Sequence, residues 1–252
     1  MSAIAGQRPL DIGRALDAAI AIYRRYFIAI VAAMAVAVVP LQLLTFAPRP
    51  WSLVGSLLQT VVLGGVTPGV ATLVIADVRA GVEPTAASVW RRLAPILTGL
   101  VLSVALALLV AGASIVLLVV PFLLLIVWFQ FVGQVVVVER HRFFKAMGRS
   151  RDLVQGSYWR VAGYAILAAT ITGVVSGALA AAPAAAASQF GLHLAATRAI
   201  GDGIDIIARV LVAPVQALLM GLLYFDLRLR REGGDIARML DALPVPAGGA
   251  VL

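Results

Sequence analysis

From Leu93 to Val138 the chain runs 46 residues without an Asp, Glu, Lys, Arg or His. As one straight helix this run would be about 69 Å long, more than twice the ~30 Å hydrocarbon core of a bilayer, so it has to cross twice. The small, turn-tolerant cluster Ala111-Gly112-Ala113-Ser114 near its middle is the expected reversal. Both ends then emerge on one side, and both are basic: Trp90-Arg91-Arg92 before the run, Glu139-Arg140-His141-Arg142 after it. The positive-inside rule makes that side the cytoplasm.

The remaining apolar runs arrange themselves around this hairpin. The sequence predicts an all-α membrane protein of six transmembrane helices with both termini in the cytoplasm, one polytopic domain over 1–252. The spans are expected at about 27–47, 51–76, 93–112, 115–138, 161–182 and 204–225. Amphipathic helices at about 9–26, 84–92 and 140–157 are expected on the cytoplasmic surface, and residues 232–252 as a frayed tail. The run from Phe27 is too long for the apolar part of a cleavable leader and has charged residues far upstream, so it is read as a retained span. Only 13% of residues are charged, against about 25% in an ordinary soluble domain, and 62% are hydrophobic. The localisation that follows is the bacterial cytoplasmic membrane, crossed several times.

The net charge of +8 would suggest nucleic acid in a soluble chain. On this topology 17 of the 20 basic residues and ten of the 12 acidic ones lie inside. The charge is therefore a topological signal; anionic inner-leaflet headgroups are the expected partner, and nucleic acid is not. A second membrane protein or another copy of this chain remains open as a partner. Cysteine is absent, which removes disulfides, thiolate nucleophiles and Cys-ligated metals.

An interfacial segment ending in an aromatic beside arginine precedes spans one, three and five: Tyr23-Arg24, Trp90-Arg91 and Trp159-Arg160. The chain thus reads either as three repeats of surface helix plus hairpin, or as three independent anchors at the inner interface.

Few residues carry chemistry. Gly65 with Gly69, and Gly173 with Gly177, are small-xxx-small pairs that let helices approach closely, within one chain or between two. Thr67-Pro68-Gly69 places a proline inside the second span. Gln130 and Gln134 share a face of the fourth span, while Gln59 and Gln216 lie in the second and sixth; amides in lipid need partners. Asp205 and Arg209, four apart at the start of the sixth span, read as a cap and a snorkelling pair or as an intramembrane functional charge. Asp226 precedes Arg230 by four and reads either as its i, i+4 partner or, instead, as a bridge to Arg149 or Arg151 of the large basic loop. His141 and His193 fall on opposite sides of the membrane, and no phosphate loop, H-E-x-x-H or G-x-S-x-G occurs, so no catalytic site, cofactor or metal is expected.

Three stretches carry a resemblance: Arg8-Pro9-Leu10 with Gly13, Leu16-Asp17 and Tyr23-Arg24; Ala146, Arg149-Ser150, Leu153-Val154, Gly156 and Trp159-Arg160; and Tyr224-Phe225-Asp226-Leu227-Arg228 with Arg230, Glu232-Gly233 and Asp235. They resemble a bacterial family of integral membrane proteins labelled glycerophosphoryl diester phosphodiesterase membrane domain. That family takes its name from relatives fused to a catalytic domain, for which this chain leaves no stretch. The resemblance implies a membrane module and transfers no active-site residue.

Three function classes are left, and each makes a different demand on the fold. A non-catalytic module of the cell envelope needs a tightly packed interior and an outer patch for a partner. A transporter or lipid-handling protein needs a polar cavity between the spans, lined by Gln59, Gln130, Gln134 or Gln216. An enzyme needs acid and base groups brought together that this sequence keeps apart.

Overall fold

The computed structural model describes residues 12–45, 51–117, 119–189 and 194–241. Among these the chain is all helix. Helix α1 (Ile12–Arg25) continues through Tyr26 into α2 (Phe27–Thr45); α3 (Trp51–Arg79) follows. Next come α4 (Ala86–Leu93), a single 3-10 turn, and α5 (Leu97–Leu117). The fourth passage is divided into α6 (Val119–Trp128) and α7 (Val132–Glu139), and α8 (Phe144–Val154), α9 (Tyr158–Gln189) and α10 (Leu194–Asp241) complete the chain. Six helices are long and apolar enough to cross a membrane: Phe27–Leu44, Trp51–Arg79, Ala86–Ser114, Pro121–Glu139, Tyr158–Leu179 and Val210–Glu232. The chain is a multi-pass membrane protein.

The round trip of the long uncharged run is visible where its ends meet. The Phe143 amide donates to the Ser103 hydroxyl at 2.9 Å, and Arg142 lies across Gly99, where an added Cβ would come within 2.8 Å of Nε. Phe143 and Arg140 both hold positive φ, 54° and 60°, a conformation costly for side chains other than glycine, and the Ser103 bond anchors this tight loop.

Several expectations change. Ala111-Gly112-Ala113-Ser114 does not turn: the Ser114 hydroxyl donates to Ala111 O within α5, and the helix continues to Leu117. Helix α5 ends at Leu117 and α6 begins at Val119. Helix α10 runs on through Gly233-Gly234 to Asp241, where a frayed tail was expected. Helix α1 packs against the bundle. It buries Ala15 and Ala19, and the Tyr23 hydroxyl donates to Leu211 O of α10 at 2.7 Å. Leu16 reaches the flank of α9 at Ala168 and Thr172, eight to twelve residues beyond Arg160, so α1 leans into the bundle.

The core is tightest where α3, α7 and α10 meet. Thr67 to Ile75 of α3 and Val132 to Val137 of α7 are almost continuously buried. Gly133 makes the approach possible: a Cβ there would sit 3.2 Å from Gly65 O. Pro68 has no N–H to offer Gly64 O, so the ladder of α3 is already open on the side where α7 packs. A Cβ added at Gly65 or Gly69 would lie 3.0 to 3.6 Å from side-chain atoms of Val104, Leu100 and Val137. The other small pair behaves differently. Gly173 and Gly177 are exposed, and a Cβ on either would meet nothing within 4 Å among the described residues.

Candidate functional site: an amide-lined cleft beneath an ion-paired face

Between α3, the α6–α7 break, α9 and α10 lies a cleft of about 480 Å³. Its polar lining is Thr67, Gln130, Gln134, Thr172, Ser176 and Gln216; Leu63, Ala169, Ala213, Ala217 and Met220 supply the apolar walls. Among the described residues no charged side chain lines it. Depth follows from helix rise. Thr67 precedes Arg79 by twelve residues, Thr172 follows Arg160 by twelve, and Gln216 precedes Asp226 by ten, which puts them about 15–18 Å from the charged end and near mid-membrane.

Gln134 is the residue that stands out. It is 0% exposed, and neither its Oε1 nor its Nε2 has a hydrogen-bond partner. Thr67 Oγ1 is the remaining buried, unpartnered side-chain atom among the described residues, and it lines the same cleft. Buried polar groups are nearly always paired, because an unmade bond costs about 1–3 kcal/mol. Both residues border one cleft, although the three unpartnered atoms are themselves covered by protein. Thr72, one turn beyond Pro68, is satisfied by contrast: its hydroxyl donates to Pro68 O at 2.6 Å. Gln59 is also satisfied, its amide donating to Gln42 Oε1 of α2, and it takes no part in the cleft.

Gln130 reaches the cleft from a broken helix. An unbroken span over 115–138 was expected; instead α6 stops at Trp128 and α7 starts at Val132. Ser150 of α8 is inserted at the break, its hydroxyl donating to Trp128 O at 2.6 Å and accepting from the Phe131 amide at 3.1 Å. The Val132 amide turns back to Phe129 O at 3.2 Å. One serine thus answers backbone groups that a break inside lipid would otherwise leave bare.

Ser150 is held in place by charge. Its neighbour Arg149 donates through Nε to Glu139 Oε2 at 2.7 Å and through Nη2 to Glu232 Oε1 at 3.0 Å. Burial opposes the Arg149 charge, but the hydrogen bond to Glu139 and the two carboxylates outweigh it and hold the guanidinium pKa above its usual value. Arg151 lies 4.7 Å over the Trp128 ring. From α10, the Tyr224 hydroxyl donates to Glu139 Oε1 at 2.9 Å, Arg228 pairs with Glu232 at 2.8 Å, and Phe225 carries Arg79 at 4.5 Å over its ring. Asp226 accepts from Arg160 at 2.9 Å and from Arg230 at 3.0 Å. The pairing with Arg230 is the one expected. The cross-link expected from Arg149 or Arg151 comes from Arg160 instead, because Arg149 is committed to Glu139 and Glu232. The side chains of Asp205 and Arg209 lie outside the described residues.

Sequence reasoning picked out Gln130, Gln134 and Gln216 but missed Thr172, Ser176, Ser150, Glu139 and Gly133. Thr172 and Ser176 carried a usable signal, two hydroxyls one turn apart in an otherwise small and apolar helix.

A family described as a domain of unknown function (DUF7847) matches residues 50–227. The matched stretch takes in every residue lining the cleft and the α10 segment through Leu227. No curated protein and no solved structure matches the chain.

Proposed function

Starting from a chain that belongs to the DUF7847 family, whose role is unassigned, we propose a non-catalytic lipid-handling module of the bacterial cytoplasmic membrane, which binds a hydrogen-bonding guest in its mid-membrane cleft. The unpartnered Gln134 amide in the cleft wall carries this reading. A cavity lined by three of the four candidate glutamines is what a transporter or lipid-handling protein requires, whereas a pure scaffold would have closed it. Among the described residues the ion pairs gather at the charged end, away from the cleft, which supports binding in preference to catalysis.

The same proposal places the arginine-rich face, with both termini, in the cytoplasm. Arg24 and Arg25 line a groove with Phe27, Ile28 and Pro84, a combination of cations and apolar surface that suits an anionic lipid of the inner leaflet. The resemblance to the glycerophosphoryl diester phosphodiesterase membrane domain fits a lipid-facing module. A membrane-protein partner or a second copy would find the bare Gly173 and Gly177 face of α9 available.

The test is purification from native membrane followed by organic extraction and mass spectrometry, with wild type and Gln134→Leu compared at equal protein. A specific compound is expected in wild type and depleted at least fivefold in the variant. Equal recovery from both would end this reading.

A further inference from the structure

Resting on that reading of the basic groove, and independently of the cleft, we infer that the groove between the start of α2 and the start of α4 is a site for one anionic phospholipid. Its phosphate sits between Arg24, Arg25 and the first turn of α4, and an acyl chain follows α2.

Position sets the frame. Arg24 and Arg25 end α1, and the first apolar span begins at Phe27. On the opposite wall Pro84 and Thr85 lead into the span that begins at Ala86. Two spans thus start side by side around one groove of about 610 Å³, room enough for a headgroup. The Trp90 indole N–H, one turn into α4, donates to Ala33 O at 2.9 Å and ties the two walls together. The groove therefore lies at the depth of lipid headgroups, with arginines at one end and Ile28, Ala29 and Ala32 leading into hydrocarbon. Ile28 is 82% exposed, an apolar surface that this chain leaves bare.

Charge sets the class. Arg24 and Arg25 are both exposed, and among the described residues neither meets a carboxylate. Arg25 lies 5.5 Å from the centre of the Tyr26 ring, an arrangement that leaves its N–H edge for an acceptor. Glu83, adjacent to Pro84, is not in the lining, so the cations prevail. At the start of α4 the capping box occupies the amides of Thr85 and Ser88, while those of Ala86 and Ala87 have no acceptor among the described residues. The positive end of α4 therefore adds to the two guanidinium groups. A phosphodiester answers all three, and the choline of a zwitterionic lipid would bring a further cation against them. A lipid also covers the apolar half of the groove, which a free phosphate cannot.

The experiment uses the full chain, delipidated in a neutral detergent, with three probes: dioleoylphosphatidylglycerol, dioleoylphosphatidylcholine and glycerol 3-phosphate. Native mass spectrometry across a titration reads stoichiometry and affinity. Phosphatidylglycerol is expected to saturate at one molecule per chain and to bind more tightly than either other probe. Arg24→Gln with Arg25→Gln should weaken it about thirtyfold, and each alone about fivefold. Ala32→Trp, at an exposed position, should weaken it by filling the apolar half. Arg91→Gln with Lys145→Gln removes as much charge from exposed positions outside the groove and should change it by less than about twofold. Gln134→Leu should leave it unchanged. Melting curves without probe show that each variant is folded; the arginine pair and Ala32 test the site separately.

Phosphatidylcholine bound as tightly would overturn the anionic class, and glycerol 3-phosphate bound as tightly would overturn the lipid. An equal loss in the Arg91 and Lys145 pair would mean diffuse attraction and no site. Binding that ignores both the arginine pair and Ala32→Trp would also overturn the inference, as would binding lost in Gln134→Leu but kept without the two arginines. None of these results bears on the cleft, which the lipid-extraction comparison decides.

Discussion

Replacing Gln134 by leucine should make the empty protein more stable. Gln134 is fully buried, and both amide atoms lack partners. Leaving a buried polar group unsatisfied costs about 1–3 kcal/mol, and leucine of similar volume should cost less than about 1.5 kcal/mol in repacking. Interhelical hydrogen bonds in membranes are modest, about 0.6 kcal/mol on average, because the unfolded chain in lipid also finds partners. The net expectation is therefore a gain of about 1 kcal/mol, read as a raised midpoint for reversible unfolding in mixed detergent micelles after exhaustive delipidation. In protein purified gently from native membrane the sign should reverse, because wild type retains an occupant that bonds to the amide and the variant does not. A delipidated variant less stable than wild type by about 1 kcal/mol or more would mean that the amide already has a partner inside the chain, and the argument from unsatisfied groups would collapse.

Five other substitutions test the frame around the cleft. Gly133→Ala brings a Cβ to 3.2 Å from Gly65 backbone oxygen and should destabilise by about 1–3 kcal/mol, whereas Gly173→Ala, with open space around it, should be neutral or raise stability by up to about 1 kcal/mol; parallel melting curves decide. Ser150→Ala strips both hydrogen bonds from the break and should cost about 1–3 kcal/mol, with faster amide exchange confined to residues near 128–132. Glu139→Gln should cost about 2 kcal/mol because it loosens Arg149 and Tyr224 together, while Asp226→Asn, whose partners are more solvated, should cost less than about 1 kcal/mol; a reversed order in chemical denaturation would contradict the burial argument. Single cysteines at Arg92 and Arg140, in a chain that has none of its own, should react with an impermeant maleimide from the same side of the membrane.

The spans were legible because lipid allows so little choice. A run of 46 uncharged residues must be helical and must return, and Arg91, Arg92, Arg140 and Arg142 say to which side. The Ala111 to Ser114 turn was expected because Gly and Ser are weaker helix formers in water, but both are tolerated inside a membrane helix, where Ser114 bonds back to Ala111. The break at Phe129 to Phe131 was not readable, since its cause, Ser150, lies some twenty residues away on another helix. Gln134 was visible as a buried amide, but periodicity cannot tell whether an amide is partnered; Gln59 looks the same in sequence and finds Gln42. The Y-F-D-L-R-x-R-x-E run illustrates the same limit: its i, i+4 pair was predictable, but its links to Glu139, Arg160 and Arg79 depend on which helix ends come together.

Helix α10 is one unbroken rod of 48 residues, about 72 Å from end to end. Gln216 in the cleft and Asp226 at the ionic face are both fixed to it, ten residues and about 15 Å apart. A twist applied to this helix would turn both at once, in the manner of a crank, so a load on the ionic face would be felt at the wall of the cleft.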